Sequence, residues 1–168
     1  MASQTAEDVV SIRPLAFGAA AAAWVATGCM GWWLASVDVD RPRRSLEDLR
    51  DREDEHAEAC SGYGSLDEAG DEPDRYVDDV YYLTDDMVEA CGELMRAGRV
   101  DQGDYDDVDE MRGRLRITVD EHRGRIEVVV DVDGLHTECA EHHLEMLELF
   151  DETEARLAAG GMMGGGMM

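Results

Sequence analysis

The sequence contains no lysine, so arginine supplies all 15 basic side chains, against 40 Asp and Glu in a chain of 168 residues. The formal net charge is -25. Because Lys and Arg supply most of the affinity of proteins for nucleic acid, this excess of carboxylates argues against binding to DNA or RNA. The sequence also lacks a P-loop, a GxGxxG motif and a convincing nucleophile triad, and it therefore predicts a non-enzymatic protein.

The composition points to a saline habitat. An acidic, lysine-free chain rich in Ala, Gly and Val resembles the proteins of salt-accumulating haloarchaea, where molar salt screens like charges over about 3 Å. The alternative is an acidic protein of a high-GC bacterium or its phage. We therefore predict a halophilic source, a haloarchaeon or its virus.

Cysteine is scarce and has no close CxxC spacing. The chain has four cysteines, of which Cys29 lies in an apolar run and Cys60, Cys91 and Cys139 lie beyond it. An odd number outside that run favours reduced thiols and a cytoplasmic environment.

The apolar run LAFGAAAAAWVATGCMGWWLASV spans residues 15–37 without a charge. It is long enough to cross a bilayer, and it follows a short tail, 1–14. Phe17, Trp32 and Trp33 suit the two interfaces, while Trp24 lies mid-span. The sequence thus predicts a retained transmembrane helix, with cleavage or lipidation at Cys29 as the alternative.

Basic residues near the span set its expected orientation. Arg41, Arg43 and Arg44 follow it, whereas only Arg13 precedes it. The end of a transmembrane helix with more Lys and Arg usually lies on the cytoplasmic side of the membrane. We therefore expect a single-pass membrane protein whose acidic C-terminal part is cytoplasmic or inside a virion.

The rest of the chain predicts a small α+β unit. Residues 38–75 form an acidic juxtamembrane segment and linker, residues 76–159 the folded domain, and 160–168 a disordered Gly/Met tail. A helix is predicted after Thr84 or Asp85, with Gly98 as its stop, and another from His136 to Ala159. Residues 101–110 are expected to be an acidic loop.

A β-hairpin is predicted between those helices, with its turn at 121–124. This register places Val119 opposite Ile126 and Leu115 opposite Val130, with apolar positions on one face. The expected architecture is therefore a transmembrane helix followed by a helix, β-hairpin and helix domain.

The strand end IEVVVDVDGL resembles the first motif of haloacid dehalogenase-type phosphatases, which implies a nucleophile at Asp131 and an acid/base at Asp133. That family also requires a lysine, which this chain lacks. The predicted register gives Asp131 a structural use opposite Arg114, and the sequence does not favour phosphatase chemistry.

The polar cluster HTECAEHH places His136, Cys139 and His143 on one helical face. Imidazole and thiolate are ligands that suit zinc, and His56 and Cys60, spaced i, i+4, could complete a site. The alternative is a purely structural role, in which the histidines are ordinary surface residues beside a buried thiol and no cofactor is bound.

Two functions follow from these patterns. The first is a structural or interaction subunit of a membrane complex or membrane-containing virion. Its expected partners are the lipid bilayer, other membrane or capsid subunits, and further copies of itself. The second is a membrane-tethered metal-binding or redox accessory protein that uses the His/Cys cluster at 136–143.

Overall fold

The computed structural model describes residues 37–161, which form four α-helices and a short 3-10 helix. The α-helices are α1, Arg41–Gly62; α2, Glu72–Arg96; α3, Gln102–Glu127; and α4, Val132–Ala159, with the 3-10 helix Leu66–Glu68 between α1 and α2. Helices α1 and α3 each pack on both α2 and α4. Short connections between sequential neighbours make this an up-down-up-down bundle.

The predicted α+β architecture is wrong, because residues 37–161 are helical and contain no strand. The expected hairpin turn lies inside α3, and its second strand covers the end of α3 and the connection that precedes α4. Two of the side chains expected on its apolar face, Val128 and Val130, are 76% and 87% exposed.

The helical pattern of α3 explains the correction. Its buried residues are spaced three or four apart, as one face of a helix requires: Val108, Met111, Leu115, Val119 and His122. Apolar residues at 115, 117 and 119 have the two-residue spacing of a strand. However, Ile117 is 59% exposed, whereas Leu115 and Val119 are fully buried.

The predicted acidic loop at 101–110 is instead the beginning of α3. The Asp101 carboxylate accepts a hydrogen bond from the Asp104 backbone N–H at 2.9 Å, and the Asp104 carboxylate accepts one from the Asp101 N–H at 3.2 Å. This capping box satisfies two backbone donors at the helix start. The acidic residues here therefore begin a helix.

A continuous apolar core fills most of the bundle. Its largest fully buried apolar side chains come from all four helices: Leu49, Met87, Leu94, Met111, Leu115, Met146, Phe150 and Leu157. The helix predicted before Gly98 is present, but it begins at Glu72 and not after Thr84 or Asp85. Met87, Val88, Cys91 and Leu94 are buried on one of its faces. Gly98 follows the end of α2 and has φ +66°, a conformation that favours glycine.

The single-pass membrane prediction is also corrected. The expected span at 15–37, with Phe17, Trp24, Trp32 and Trp33, lies outside the described residues except for Val37. Among residues 37–161, no helix combines the length and the apolar character needed to cross a bilayer.

The arginines expected to set membrane orientation lie in the first turn of α1. Arg41 forms an ion pair with Asp86 of α2 at 2.5 Å. Arg43 forms one with Glu47 at 3.0 Å, and Arg44 with Asp38. Arg41 therefore joins α1 to α2, Arg44 pairs with a residue just before α1, and Arg43 pairs within α1.

Candidate metal centre

Polar side chains replace apolar ones in the core at one end of the bundle. This end contains the last turns of α1 and α3 and the first turns of α2 and α4. Each contributing residue is at most 3% exposed: Glu53, His56 and Cys60 from α1, Tyr76 from α2, His122 from α3, and Cys139 and His142 from α4. Buried polar groups are costly without partners, so their concentration marks this end as a candidate site.

Two imidazoles and one sulfur converge at the centre of this cluster. One ring nitrogen of His56, one ring nitrogen of His122 and Cys139 Sγ all lie within 4.8 Å of one another. His56 Nε2 is 2.9 Å from His122 Nε2 and 3.7 Å from Cys60 Sγ. Adjacent ligand atoms around a tetrahedral zinc ion are about 3.3–3.8 Å apart, so small side-chain adjustments would accommodate one.

The two sulfurs of the cluster are joined in a disulfide between Cys60 and Cys139, whose Cα atoms are 6.3 Å apart. The prediction of reduced thiols is therefore wrong for this pair. A disulfide sulfur is a poor metal ligand, whereas two thiolates with two imidazoles form the Cys2His2 set of zinc sites. The sulfurs of Cys60 and Cys139 can therefore either form the disulfide or, when reduced, serve as metal ligands, but not both at once.

Glu72 orients the ring of His56. Its Oε2 atom lies 2.7 Å from His56 Nδ1, so the carboxylate accepts a hydrogen bond from Nδ1–H. That bond leaves the lone pair of a neutral His56 on Nε2, which faces His122 and Cys60. Burial raises the pKa of Glu72, but the contact with His56 and the charge of Arg52 outweigh it and hold that pKa below its usual value. Glu72 therefore remains a carboxylate that can orient a metal ligand.

His122 is held neutral by its surroundings. Burial, with the neighbouring rings of His142 and His56, lowers the pKa of His122 to about 2. The rings of His122 and His142 are stacked, with centroids 3.8 Å apart. Among the described residues, the Nδ1 atoms of both rings lack a hydrogen-bond partner. A neutral imidazole is the form that binds a metal ion.

A second hydrogen-bonded network adjoins the first. Tyr76 donates to the Glu53 carboxylate, and its Oη lies 2.8 Å from His142 Nε2. Glu53 Oε1 also accepts from His143 Nδ1 at 3.1 Å. Burial raises the pKa of Glu53, but the contacts with His142 and Tyr76 outweigh it and keep that pKa below its usual value. Tyr76 stacks on His56 at 4.0 Å between centroids, so the network supports the ring of a candidate ligand.

The three residues predicted as metal ligands have different partners in the structure. Cys139 lies in the buried cluster, whereas His136 Nε2 is 3.0 Å from the Tyr63 carbonyl and His143 binds Glu53. All three line one pocket between α1 and α4, as their spacing on a single face requires. Both predicted supplementary ligands lie beside Cys139: a ring nitrogen of His56 is within 4.8 Å of Cys139 Sγ, and Cys60 is bonded to it.

Sequence reasoning missed His122 and undervalued α1. The available signal was the continuation of the apolar spacing through polar residues: Leu46, Leu49, Glu53, His56 and Cys60 on α1, and Leu115, Val119 and His122 on α3. A helix stripe that changes from leucine to histidine without losing its period marks a polar core.

The described residues form an antiparallel four-helix bundle with imidazole, sulfur and carboxylate groups in its core, and bundles of this architecture can hold metal or ligand sites between their helices. Comparison of the chain with protein-family models, curated proteins and solved structures finds no match.

Proposed function

We propose that this protein, with Cys60 and Cys139 reduced, is a metal-binding protein that holds one zinc-type divalent ion in the core of its bundle. The ligands are His56 and His122 through Nε2 and Cys60 and Cys139 through Sγ. The observation that carries the proposal is the convergence of His56, His122 and Cys139 atoms within 4.8 Å at a buried position. The hypothesis of a structural or interaction subunit stays a prediction.

The chemistry of the ligand set favours zinc over hard cations. Thiolate and imidazole suit zinc and related soft or borderline ions, whereas calcium and magnesium prefer oxygen. Four protein ligands leave no open position for a substrate, which is the arrangement of structural zinc sites. We therefore infer a non-enzymatic role in which the ion cross-links α1, α3 and α4.

Cobalt(II) titration of the reduced protein tests the proposal. We expect about one Co²⁺ per chain, with the visible bands of tetrahedral cobalt and a sulfur-to-cobalt charge-transfer band. Cys139→Ser and His122→Gln should each abolish the tetrahedral spectrum, whereas His136→Gln and Cys91→Ala should retain it. Helix content measured by circular dichroism confirms that each variant is folded.

The stability of the protein gives a second readout. Zinc should raise the unfolding midpoint of the reduced protein and leave that of the disulfide form unchanged, because only the reduced form offers thiolates. A spectrum that survives in His122→Gln but disappears in His136→Gln would instead assign binding to the surface face of α4. Absence of cobalt binding by the reduced wild-type protein would overturn the proposal.

A further inference from the structure

We propose that the Cys60–Cys139 disulfide is a thiol-exchange site, at which a small neutral or cationic thiol reaches Cys139 through the pocket between α1 and α4. This activity differs from metal binding and does not depend on it. Its substrate class follows from the lining and size of the pocket and from the charge of the chain.

The pocket gives access to one sulfur of the pair. It has a volume of about 270 Å³, and it is lined by Ala57, Ser61, His136, Cys139, Ala140 and His143. Cys60 is not in the lining and is 1% exposed. Thiol–disulfide exchange requires access to the attacked sulfur, so Cys139 is the sulfur attacked and Cys60 is the leaving group.

Small side chains create the opening. Ala57 and Ser61 on α1 face Ala140 on α4, and none of them fills the space beside Cys139. The volume suits a compact thiol better than a folded protein partner. The pocket lining contains no carboxylate among the described residues, whereas the chain as a whole carries a net charge of -25. This field disfavours anionic thiols and favours neutral or cationic ones.

The exchange proceeds in two balanced steps. The incoming thiolate sulfur forms a bond to Cys139 Sγ, the Cys60–Cys139 bond breaks, and Cys60 leaves as a thiolate that takes a proton from water. A second thiolate then attacks the small-molecule sulfur of the mixed disulfide and releases Cys139, which is protonated in turn. Overall, two R–SH become R–S–S–R, and their two electrons and two protons end on the two cysteine thiols.

Matched single-cysteine replacements test which sulfur is accessible. Cys60→Ser leaves the Cys139 thiol, and Cys139→Ser leaves the Cys60 thiol. With cystamine, a small cationic disulfide, we expect Cys139 to form its mixed disulfide at least about tenfold faster than Cys60 does, as followed by peptide mass spectrometry. Equal rates, or faster reaction of Cys60, would overturn the proposal.

A pocket-filling substitution tests the route in the chain with both cysteines. Ala140→Phe should slow reduction of the disulfide by cysteamine at least about tenfold. Ala155→Phe, at another exposed position of α4, is the matched control and should not slow it. If both variants react at the wild-type rate, the thiol does not use this pocket and the proposal fails.

The charge of the thiol provides the last test. Cysteamine should reduce the wild-type protein faster than glutathione, after correction for the thiolate fraction of each, and added KCl should narrow the difference. Faster reduction by glutathione would overturn the assigned substrate class. Because these readouts need no metal, failure of metal binding leaves them intact.

Discussion

His122 shows how one residue can make a bundle sensitive to acid. In the folded protein, burial lowers its pKa to about 2, whereas an unperturbed histidine titrates near 6.5. The unfolded chain therefore takes up a proton below pH 6.5 that the folded chain does not. Stability contributed by the neutral ring is complete above pH 6.5 and is lost progressively as the pH falls toward 2.

We predict that the disulfide form loses about 1.6 kcal/mol of unfolding free energy between pH 6.5 and pH 5.0 through His122. Glu53 and Glu72, whose pKa values are lowered, begin to contribute only at more acidic pH. Urea denaturation at the two pH values measures the change. His122→Gln should flatten the dependence and His136→Gln should preserve it; an unchanged slope in His122→Gln would contradict the assignment.

Local spacing could place some residues of the candidate site but not their partners. His136, Cys139 and His143 share a face because they share a helix, which spacing alone establishes. His56 and His122 are 66 residues apart and meet only because α1 and α3 both direct their polar positions into the same end of the core. A single sequence does not specify which faces of distant helices meet, so this pair could not be predicted.

At the scale of the element, α3 is where two periodicities compete. Residues 114–120 fit a two-residue alternation, whereas Leu115, Val119 and His122 fit the three-to-four-residue spacing of a helix. The observed burial follows the helical spacing, because Ile117 is exposed and His122 is buried. The α3 helix also extends the spacing upstream to Val108, beyond any strand of the expected hairpin.

Glycine substitutions in α3 distinguish helix from hairpin. Gly113 and Gly124 lie within the helix, and an added Cβ at either meets no atom within 4 Å. Replacing each by Ala should therefore stabilise the protein by about 0.5–1 kcal/mol, because alanine loses less backbone entropy on folding.

Gly98→Ala is the matched control, since its positive φ makes alanine unfavourable. It should destabilise the protein by about 1–2 kcal/mol. Chemical denaturation measures all three variants. Destabilisation by Gly124→Ala, which a tight turn at 121–124 would produce, would contradict the helix.

For the whole molecule, the dominant electrostatic fact is the net charge of -25. Arginines join each neighbouring pair of helices through ion pairs: Arg41–Asp86, Arg116–Asp85, Arg114–Glu152 and Arg50–Glu154. Each exposed pair contributes only about 0–1 kcal/mol, so these pairs do not offset the general repulsion among carboxylates.

We predict that KCl stabilises the fold. Raising its concentration from about 0.1 M to about 2 M should increase the thermal midpoint by at least about 4 °C, because salt screens repulsion more than it weakens the ion pairs. Sucrose of matched osmolality serves as the control for solute exclusion. A lower midpoint in KCl would show that attractive pairs dominate.

The disulfide covalently links the first half of the bundle, α1 and α2, to the second half, α3 and α4. The connection at 97–101 lies at the end opposite the disulfide, and a protease cut there would separate α1–α2 from α3–α4. Each half carries one cysteine of the disulfide and one of the two facing histidines, so neither half holds the complete centre. A nicked chain would migrate as one species without reductant and as two fragments with it. The two fragments of a cleaved chain therefore stay covalently linked only while the Cys60–Cys139 disulfide is oxidised.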